Sequence, residues 1–286
     1  MVDNRNSPNR ENHHQVVWLT GSANGVGKHL TNCFYQKGYA IVASDIEIAT
    51  LESVAKEFDW NLDNVLLLEL NITDQNAWET ALEKVVTRFG RIDIMFNIAG
   101  YVRPGFLMET PPEELKKHID INLVGTMIGS QFVAKQMLTQ GSGHIINIAS
   151  LAAIGPVPGL GFYSAAKFGL RGYSLALAHE LAEKNIAVSV IYPDLIKTRM
   201  FDLQLNYPKE SALVFTGHKP LTVKDIEKSV FNTVLTKRPM EVLLPTHRGF
   251  LARFSGLFPE IAYHIGLKIR KKGEEKIIQK AKKVKR

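Results

Sequence analysis

Seven short apolar runs are spaced along this sequence, each separated from the next by a longer, mostly amphipathic stretch. Most of the runs lack polar alternation, which is typical of parallel strands buried on both faces. Strands are predicted at residues 16–19, 40–44, 65–70, 92–97, 144–148, 187–192 and 241–244. Helices are predicted between them, for example at 26–37, 78–89, 113–136, 163–184 and 223–233. This order predicts a single-domain, doubly wound α/β fold with a seven-stranded, mostly parallel sheet and helices on both faces.

The predicted domain spans residues 15–245, between a polar leader and a C-terminal extension. Residues 1–14 lack the apolar stretch of a signal peptide, so we expect a disordered leader. Residues 246–286 are apolar and then basic, and we expect them to be helical. The net charge is +7, but the chain from His247 onward carries twelve Lys and Arg against three Glu. The rest is nearly neutral, which argues against a nucleic-acid-binding core.

Cys33 is the only cysteine, so no disulfide is expected and a reducing intracellular compartment is favoured. We interpret it as a small core residue of the first helix, with a reactive thiol as the alternative. No run reaches the roughly 18–20 apolar residues that cross a bilayer. A cytoplasmic protein is therefore expected, with membrane association as an option. The histidines show no ligand spacing, so no metal site is expected.

A glycine-rich turn follows the first predicted strand and leads into a helix. Gly21 permits a tight turn, Gly25 lets the backbone approach a pyrophosphate, and Gly27 allows helix and strand to pack closely. Helix amides and the positive end of the dipole would then face the phosphates. Glycine is common in turns, but the position between a strand and a helix favours a dinucleotide site.

Asp45 ends the second predicted strand and bears on the choice of nucleotide. A carboxylate there can accept hydrogen bonds from the adenosine ribose hydroxyls, and it would repel a 2′-phosphate. The residues around it, which supply no cation to offset that repulsion, are Ser22, Ala23, Asn24 and Ile46. The sequence therefore favours NAD over NADP, with an ordinary turn aspartate as the alternative.

Tyr163 and Lys167 stand four residues apart and so share one face of a helix. A phenol with a pKa of about 10 is a poor base at neutral pH, and a neighbouring ammonium favours the phenolate. Tyr163 could then take a proton from an alcohol or give one to a carbonyl. Ser150, after the fifth predicted strand, would hydrogen-bond the substrate oxygen. A solvated helix face and a loop-capping serine are the alternatives.

The Thr-Gly-x3-Gly-x-Gly turn and the Tyr-x3-Lys pair together resemble the short-chain dehydrogenase/reductase family, which has a Rossmann fold. The resemblance covers about residues 15–245 and implies a catalytic tetrad of Asn122, Ser150, Tyr163 and Lys167. In the family the asparagine holds a water that relays protons between the lysine and solvent; a solvated helix face is its alternative. The resemblance also implies a homodimer or homotetramer.

Three further segments match the family pattern. Residues 71–73 resemble the segment that contacts adenine, 97–100 the Asn-Asn-Ala-Gly motif, and 193–198 the stretch that contacts the nicotinamide carboxamide. Ile98 replaces the second Asn, and Asp194 stands where glycine is usual, which suggests an altered loop or a substrate contact. The resemblance implies cofactor-binding roles for Gly21, Ser22, Asn24, Gly25, Val26, Gly27, Asp45, Asn71, Ile72, Asn97, Ala99, Gly100, Tyr163, Lys167, Pro193, Ile196 and Thr198.

Two segments toward the C-terminus bear on the substrate and on surfaces. Residues 194–222 are expected to cover the substrate, and their apolar side chains suggest a lipophilic pocket, with ordinary packing as the alternative. Residues 248–268 are rich in Phe, Leu and Ile, and residues 268–286 carry ten Lys and Arg. This order is a candidate membrane-surface anchor. Packing against the body or a partner subunit, and a solvated charged end, are the alternatives.

These features predict an NAD-dependent oxidoreductase that transfers a hydride between nicotinamide and a secondary alcohol or ketone. We expect a lipophilic substrate, such as a steroid, a retinoid-like compound or a fatty alcohol. Two other functions stay open: a catalytically silent NAD-binding scaffold, and a membrane-tethered regulator that acts through the basic tail. Nucleic acid is not an expected partner, since no aromatic residue follows Tyr263 to stack on bases.

Overall fold

The computed structural model describes residues 15–217 and 219–284; the predicted leader, residues 1–14, lies outside them. The strands are β1 (Val16–Thr20), β2 (Ala40–Asp45), β3 (Val65–Glu69), β4 (Ile94–Asn97), β5 (Gly143–Ile148), β6 (Ile186–Pro193) and β7 (Glu241–Leu244). Each coincides with a predicted strand to within two residues at either end. Runs of buried apolar residues therefore located the strands correctly.

The helices of the described residues follow the strands and differ widely in length. They are α1 (Gly25–Gln36), α2 (Ile48–Glu57), α3 (Gln75–Phe89), α4 (Pro112–Ile119), α5 (Gly125–Gln140), α6 (Gly161–Leu181), α7 (Arg199–Gln204), α8 (Val223–Ser229), α9 (Leu235–Lys237), α10 (Thr246–Leu257) and α11 (Pro259–Val284). A π-helical turn, Asp120–Val124, joins α4 to α5, and a second, Val230–Val234, joins α8 to α9. Short 3-10 turns occupy Leu151–Ala153, Ala182–Lys184 and Val214–Thr216.

The seven strands form one parallel sheet in the order β3-β2-β1-β4-β5-β6-β7. The chain builds outward from β1 to β3, then returns to the other side of β1 and continues to β7. This is the doubly wound topology that the alternating runs predicted. Because all strands are parallel, their carboxyl ends lie at one edge of the sheet, and the loops that follow them meet there.

The core has two layers, one on each face of the sheet, because successive residues of a strand point to opposite sides. On one face Leu19 packs with Phe34 of α1, and both side chains are fully buried. On the other face the rings of Trp18 and Trp78 of α3 lie 5.3 Å apart, centroid to centroid. The Trp18 indole N–H donates to the Ser44 hydroxyl at 3.0 Å, so its polar atom is satisfied within the core.

Cys33 lies at the side of this core. It is half-buried, whereas Leu30 on the same helix is completely buried, and its thiol faces His29 and Glu227 of α8. The interpretation as a small core residue is wrong, because α1 turns this position toward α8 instead of the sheet. Burial and the adjacent carboxylate raise the pKa of the thiol to about 11. The thiol is therefore protonated near neutral pH and a weak nucleophile, which disfavours the reactive alternative.

The chain after β7 forms two helices that pack back onto the domain. Helix α10 contacts β7 and the turn Leu151–Ala153, and α11 contacts the turn Val214–Thr216 and α10. Gly273 of α11 passes so close to the domain that a Cβ there would lie 1.9 Å from the Ala212 carbonyl oxygen. None of the described helices is both long and apolar enough to cross a bilayer. The boundary between domain and extension at residue 245 stays a prediction.

Candidate active site

The carboxyl ends of β1 and β4 lie side by side, with Leu19 paired to Phe96. The strand order reverses here, so the connections that follow these two strands leave on opposite faces and open a crevice between them. The Thr20 hydroxyl oxygen accepts hydrogen bonds from the backbone N–H groups of Ile98 (3.0 Å) and Ala99 (3.2 Å). Thr20 therefore ties the two edges of the crevice together. Its only sequence signal is its place before the glycine turn.

The glycine turn has the geometry that a phosphate site requires. Gly21 and Gly25 have φ of +71° and +54°, where side chains are strained. A Cβ on Gly27 would lie 1.9 Å from the Gly21 carbonyl oxygen, and a Cβ on Gly21 would lie 3.0 Å from the backbone of Ala99. The turn is therefore compact only with glycine at these positions. The unpaired amides of the first turn of α1 open at the same edge, as phosphate binding needs.

The polar residues of the turn differ in what they can offer a cofactor. Ser22 is fully buried; its hydroxyl donates to the Leu19 carbonyl oxygen (2.9 Å) and accepts from the Thr31 hydroxyl (3.0 Å). The Ser22 side chain is thus structural, and only its backbone can face a ligand. Asn24 is exposed and its side chain makes no capping hydrogen bond, while Val26 packs against the core.

Asp45, at the end of β2, lies against the glycine turn. One carboxylate oxygen accepts from the Ala23 N–H at 2.9 Å and the other from the Glu47 N–H at 3.0 Å. Each carboxylate oxygen can accept more than one hydrogen bond, so ribose hydroxyls can still bind. The ribose contact and the turn-capping role are therefore compatible in one residue.

The segment after β3 combines an exposed turn with a buried side chain. The Asn71 carboxamide oxygen accepts from the Thr73 N–H (3.1 Å) and hydroxyl (2.8 Å). Ile72 is buried beneath α5, where a Cβ on Gly125 would lie 2.8 Å from its side chain. The side chain of Ile72 serves packing, so a cofactor contact there would use the backbone.

Asn97 belongs to a buried polar network that joins two strands to two helices. Its amide donates to the Asn147 carboxamide oxygen (2.8 Å) and to the Ser130 hydroxyl (3.0 Å). The Asn147 amide donates in turn to the Ser174 hydroxyl at 2.9 Å. This geometry supports the interpretation that the motif steadies the sheet, and it occupies both N–H donors of the Asn97 amide.

The structure brings Ser150, Tyr163 and Lys167 together at the carboxyl end of β5. Tyr163 and Lys167 lie in the first two turns of α6, with the Lys167 ammonium nitrogen 5.7 Å from the centre of the tyrosine ring. That ammonium donates to the Ile148 carbonyl oxygen at 3.0 Å. The Ser150 hydroxyl lies next to the Tyr163 phenol and accepts from the Ala152 N–H at 3.2 Å.

Burial acts on both members of the pair. It raises the pKa of the Tyr163 phenol to about 12, although the Ser150 hydrogen bond works in the opposite direction. It lowers the pKa of the Lys167 ammonium to about 8. Within residues 15–217 and 219–284, this ammonium makes one hydrogen bond, yet it carries three N–H donors. The remaining donors suit oxygen ligands such as the ribose hydroxyls of a nicotinamide nucleotide.

Asn122 lies in the π-helical turn between α4 and α5 and is fully buried, so it is not on a solvated face. Its carboxamide oxygen accepts from the Tyr101 N–H (2.9 Å), and its amide donates to the carbonyl oxygens of Tyr101 (2.8 Å) and His118 (3.1 Å). A Cβ on Gly100 would lie 3.1 Å from the Asn122 oxygen and 3.9 Å from the Lys167 nitrogen. Asn122 therefore borders the lysine.

The segment after β6 reaches back to the glycine turn. Pro193 ends the strand, Ile196 forms an isolated parallel bridge with Leu221, and Thr198 precedes α7. The Thr198 methyl group lies 3.4 Å from the position of a Cβ on Gly25. Thr198 therefore lies against the glycine turn, whereas Ile196 packs against the core.

Asp194 has a role that the sequence left open. Its carboxylate accepts from the Arg248 guanidinium at 2.8 Å, and the two side chains are 19% and 26% exposed. Asp194, which stands where the family usually has glycine, thus anchors α10 to the loop that follows β6. Arg248 lies 54 residues later, and no local pattern points to it.

The covering segment, residues 194–222, is held from outside by α11. Phe201, Leu205 and Phe215 are buried in one cluster with Ile277 of α11. The Lys276 ammonium donates to the backbone carbonyls of residues 216 and 217 at 3.1 and 3.2 Å. For these three apolar side chains ordinary packing, the alternative, is what the structure shows.

A parallel sheet that opens beside a glycine turn at its switch point has the geometry of a dinucleotide-binding site, and the adjacent tyrosine could exchange a proton with a bound substrate. The chain belongs to the short-chain dehydrogenase/reductase family, since the sequence model described as short chain dehydrogenase matches residues 15–206. The protein is an NAD(P)-dependent dehydrogenase/reductase that acts on alcohol or ketone groups and binds a nicotinamide cofactor.

Relatives and solved structures agree with this assignment. A 3-oxoacyl-[acyl-carrier-protein] reductase of Thermotoga maritima is 36% identical over 199 residues, which cover 70% of this chain and 81% of that protein. A short-chain dehydrogenase/reductase of Burkholderia phymatum in complex with NAD has a TM-score of 0.77 at 20% identity, covering 87% and 95% of the two chains. ElxO with NADP bound has a TM-score of 0.73 at 24% identity, covering 80% and 96%. The two structures share the fold.

Proposed function

We propose that Tyr163 exchanges a proton with the oxygen of a secondary alcohol or ketone at the crevice. The observation that carries the proposal is the buried Lys167 ammonium beside the Tyr163 phenol, next to the glycine turn. A bound nicotinamide supplies the site that accepts or donates the hydride. In the oxidation direction the alcohol O–H proton passes to the tyrosine oxygen, the carbinol C–H pair leaves as hydride, and a C=O bond forms.

The base must be a phenolate, so the surroundings have to lower its pKa from about 12. The ammonium of Lys167 favours the phenolate, because opposite charges attract strongly where water is excluded. Ser150 is placed to hold the substrate oxygen and to stabilise negative charge that develops on it. We infer that Asn122, which borders the lysine, positions the route by which Lys167 exchanges protons with solvent.

Tyr163→Phe tests the mechanism. We expect turnover to fall by at least about a hundredfold, because general acid–base catalysis of that size is lost with the hydroxyl. Binding of NADH, followed by its fluorescence, should remain. The control is Tyr173→Phe on the same helix, whose hydroxyl donates to the Met127 carbonyl oxygen. Retained turnover in Tyr163→Phe would refute the mechanism. A wild-type protein that binds NADH but converts no member of a graded series of alcohols and ketones would support the silent scaffold.

We propose that the cofactor is NAD. The Asp45 carboxylate lies 2.9 Å from the Ala23 backbone nitrogen, at the end of β2 where the adenosine ribose of a dinucleotide lies in this fold. Asp45→Asn keeps the shape and removes the charge. We expect the ratio of kcat/KM for NAD over NADP to fall at least tenfold in this variant. An unchanged ratio would assign Asp45 to turn capping alone.

We propose a lipophilic substrate. Leu107 packs against Gly161, two residues before the proposed acid–base, and remains 49% exposed; Met108 beside it is 93% exposed, and Leu203 of α7 is 37% exposed. Leu107 therefore puts exposed apolar surface next to the site, although part of the covering segment is used for packing. The screen is a series of secondary alcohols of increasing chain length, followed by NADH absorbance. A preference for the shortest alcohols would contradict the proposal.

We propose that the enzyme works at an anionic membrane surface, to which helices α10 and α11 bind. Ten large side chains between residues 250 and 269 are 38–74% exposed, and α10 carries four of them on one face. They are Phe250, Leu251, Phe254, Leu257, Phe258, Ile261, Tyr263, Ile265, Leu267 and Ile269. Exposed lysines follow at once at 268, 271 and 272. An apolar face bordered by cations is complementary to anionic lipid.

Vesicle pelleting tests this location. Vesicles of phosphatidylcholine with phosphatidylserine should bind the protein, and vesicles without phosphatidylserine should bind it much less, since each lysine contributes about 1 kcal/mol on anionic lipid. Phe254→Ser with Phe258→Ser should abolish pelleting, while Met108→Ser, at an apolar and even more exposed position outside α10 and α11, should not. If the double variant instead changes the oligomer size in light scattering, the face is a contact between copies.

We propose a homodimer or homotetramer whose subunit contacts leave this apolar face free.

A further inference from the structure

Three side chains with metal-ligating atoms converge where α1 packs on α8. His29 and Cys33 lie one turn apart on α1, and Glu227 reaches them from α8. The function proposed above uses none of them. The sequence signal, a histidine and a cysteine at i and i+4, is visible in retrospect, but the third residue is 194 positions beyond Cys33 and only the packing of α1 on α8 brings it close.

Two of the three distances between the ligand atoms can be compared with those of a tetrahedral metal site. The Cys33 sulfur lies 3.5 Å from the His29 Nε2, the same nitrogen lies 2.8 Å from a Glu227 carboxylate oxygen, and all three atoms lie within 4.8 Å of one another. Zinc bonds of about 2.3 Å to sulfur and about 2.0 Å to nitrogen and oxygen put tetrahedral ligands about 3.3–3.5 Å apart. The sulfur and nitrogen already have this spacing, and the carboxylate must move back by about 0.5 Å.

The surroundings allow both the movement and a fourth ligand. All three residues are of intermediate exposure, with the histidine and glutamate side chains 24% and 33% exposed, so water can complete the tetrahedron. A metal ion displaces the thiol proton when it binds, and the resulting thiolate and the carboxylate together neutralise a divalent cation. Sulfur and imidazole donors select zinc-like ions over magnesium or calcium, which prefer oxygen ligands.

We propose that His29, Cys33 and Glu227 form a binding site for a zinc-class divalent cation that joins α1 to α8. The metal would hold α1, which starts at the glycine turn, against α8, which follows the covering segment. The simpler interpretation is a histidine–glutamate ion pair with the thiol packed beside it. That interpretation needs no metal and predicts no metal-dependent stability.

Cobalt(II) is the probe that separates the two, added to the full chain after treatment with a chelator. Since Cys33 is the only cysteine, a thiolate-to-cobalt charge-transfer band can arise only at this site. We expect that band together with intense visible bands of tetrahedral cobalt, and loss of both on adding zinc. Cys33→Ser should lose the charge-transfer band, and Glu227→Gln should weaken cobalt binding at least tenfold.

Controls guard against adventitious binding and against misfolding. His13→Ala with His14→Ala removes the adjacent histidines of the N-terminal stretch and should keep the band. Zinc should raise the thermal midpoint of the wild type but not of Cys33→Ser, and magnesium should raise neither. Absence of the charge-transfer band in wild type, or an equal zinc shift in Cys33→Ser, would overturn the proposal. None of these measurements depends on turnover, so failure here leaves the proposed oxidoreductase mechanism untouched.

Discussion

Replacing the buried lysine of the site, Lys167→Met, should make the protein more stable while it removes activity. The Lys167 side chain is 4% exposed, and burial lowers its pKa from an ordinary 10.5 to about 8. The folded protein therefore holds this proton less tightly than the unfolded chain does. The buried charge is a cost to folding, and a methionine of similar length does not carry it.

The size of the gain follows from the two pKa values. A downward shift of about 2.5 units corresponds to about 3 kcal/mol at pH 7, where both states carry the proton. Loss of the hydrogen bond to the Ile148 carbonyl lowers the stability by about 1 kcal/mol, so the net gain in the free energy of unfolding is about 2 kcal/mol. The unfolded chain binds more protons from pH 8 to 10.5, so wild-type stability rises through this window. The advantage of Lys167→Met should therefore disappear near pH 10.

The assay is urea unfolding of both proteins at pH 7, 8, 9 and 10, followed by tryptophan fluorescence. The difference between the two proteins isolates this one group, since other titrations occur in both. Lys135→Met, an exposed position on α5, is the matched control and should show no such pH dependence. A Lys167→Met protein less stable than wild type at pH 7, or a gap that stays constant with pH, would refute the reasoning.

Three further outcomes are expected. Gly27→Ala should abolish NADH binding in a fluorescence titration, because its Cβ would lie 1.9 Å from a carbonyl oxygen, whereas Gly172→Ala, with nothing within 4 Å, should bind normally. Burial lowers the pKa of His144 to about 3, so the unfolded chain binds an extra proton below about pH 6.5. Urea unfolding should therefore show that the wild type loses about 2 kcal/mol of stability between pH 7 and 5. His144→Gln should lose less stability over the same range. Arg248→Met should destabilise the folded protein by about 1–2 kcal/mol, because it leaves the half-buried Asp194 carboxylate unpaired. In a double-mutant cycle, adding Asp194→Gly should restore part of the lost stability.

Much of the fold and the core of the site could be predicted because their signals are local. A strand buried on both faces has to be apolar at nearly every position, so the runs mark the strands directly. The glycine turn and the tyrosine–lysine spacing are likewise set by the stereochemistry of a few consecutive residues. Which neighbour a helix face packs against depends on tertiary packing, and this is why the prediction of Cys33 as a core residue was wrong.

Sequence alone therefore determined the parallel sheet and the glycine turn, and it placed Tyr163 and Lys167 on one face of a helix. Tertiary structure decided the partners of Asp194 and Asn122, the use of the covering segment for packing against α11, and the meeting of His29 and Cys33 with Glu227. The physical reason is that backbone periodicity repeats within a few residues. Contacts between residues far apart in the chain depend instead on how whole helices pack, and no short pattern records that.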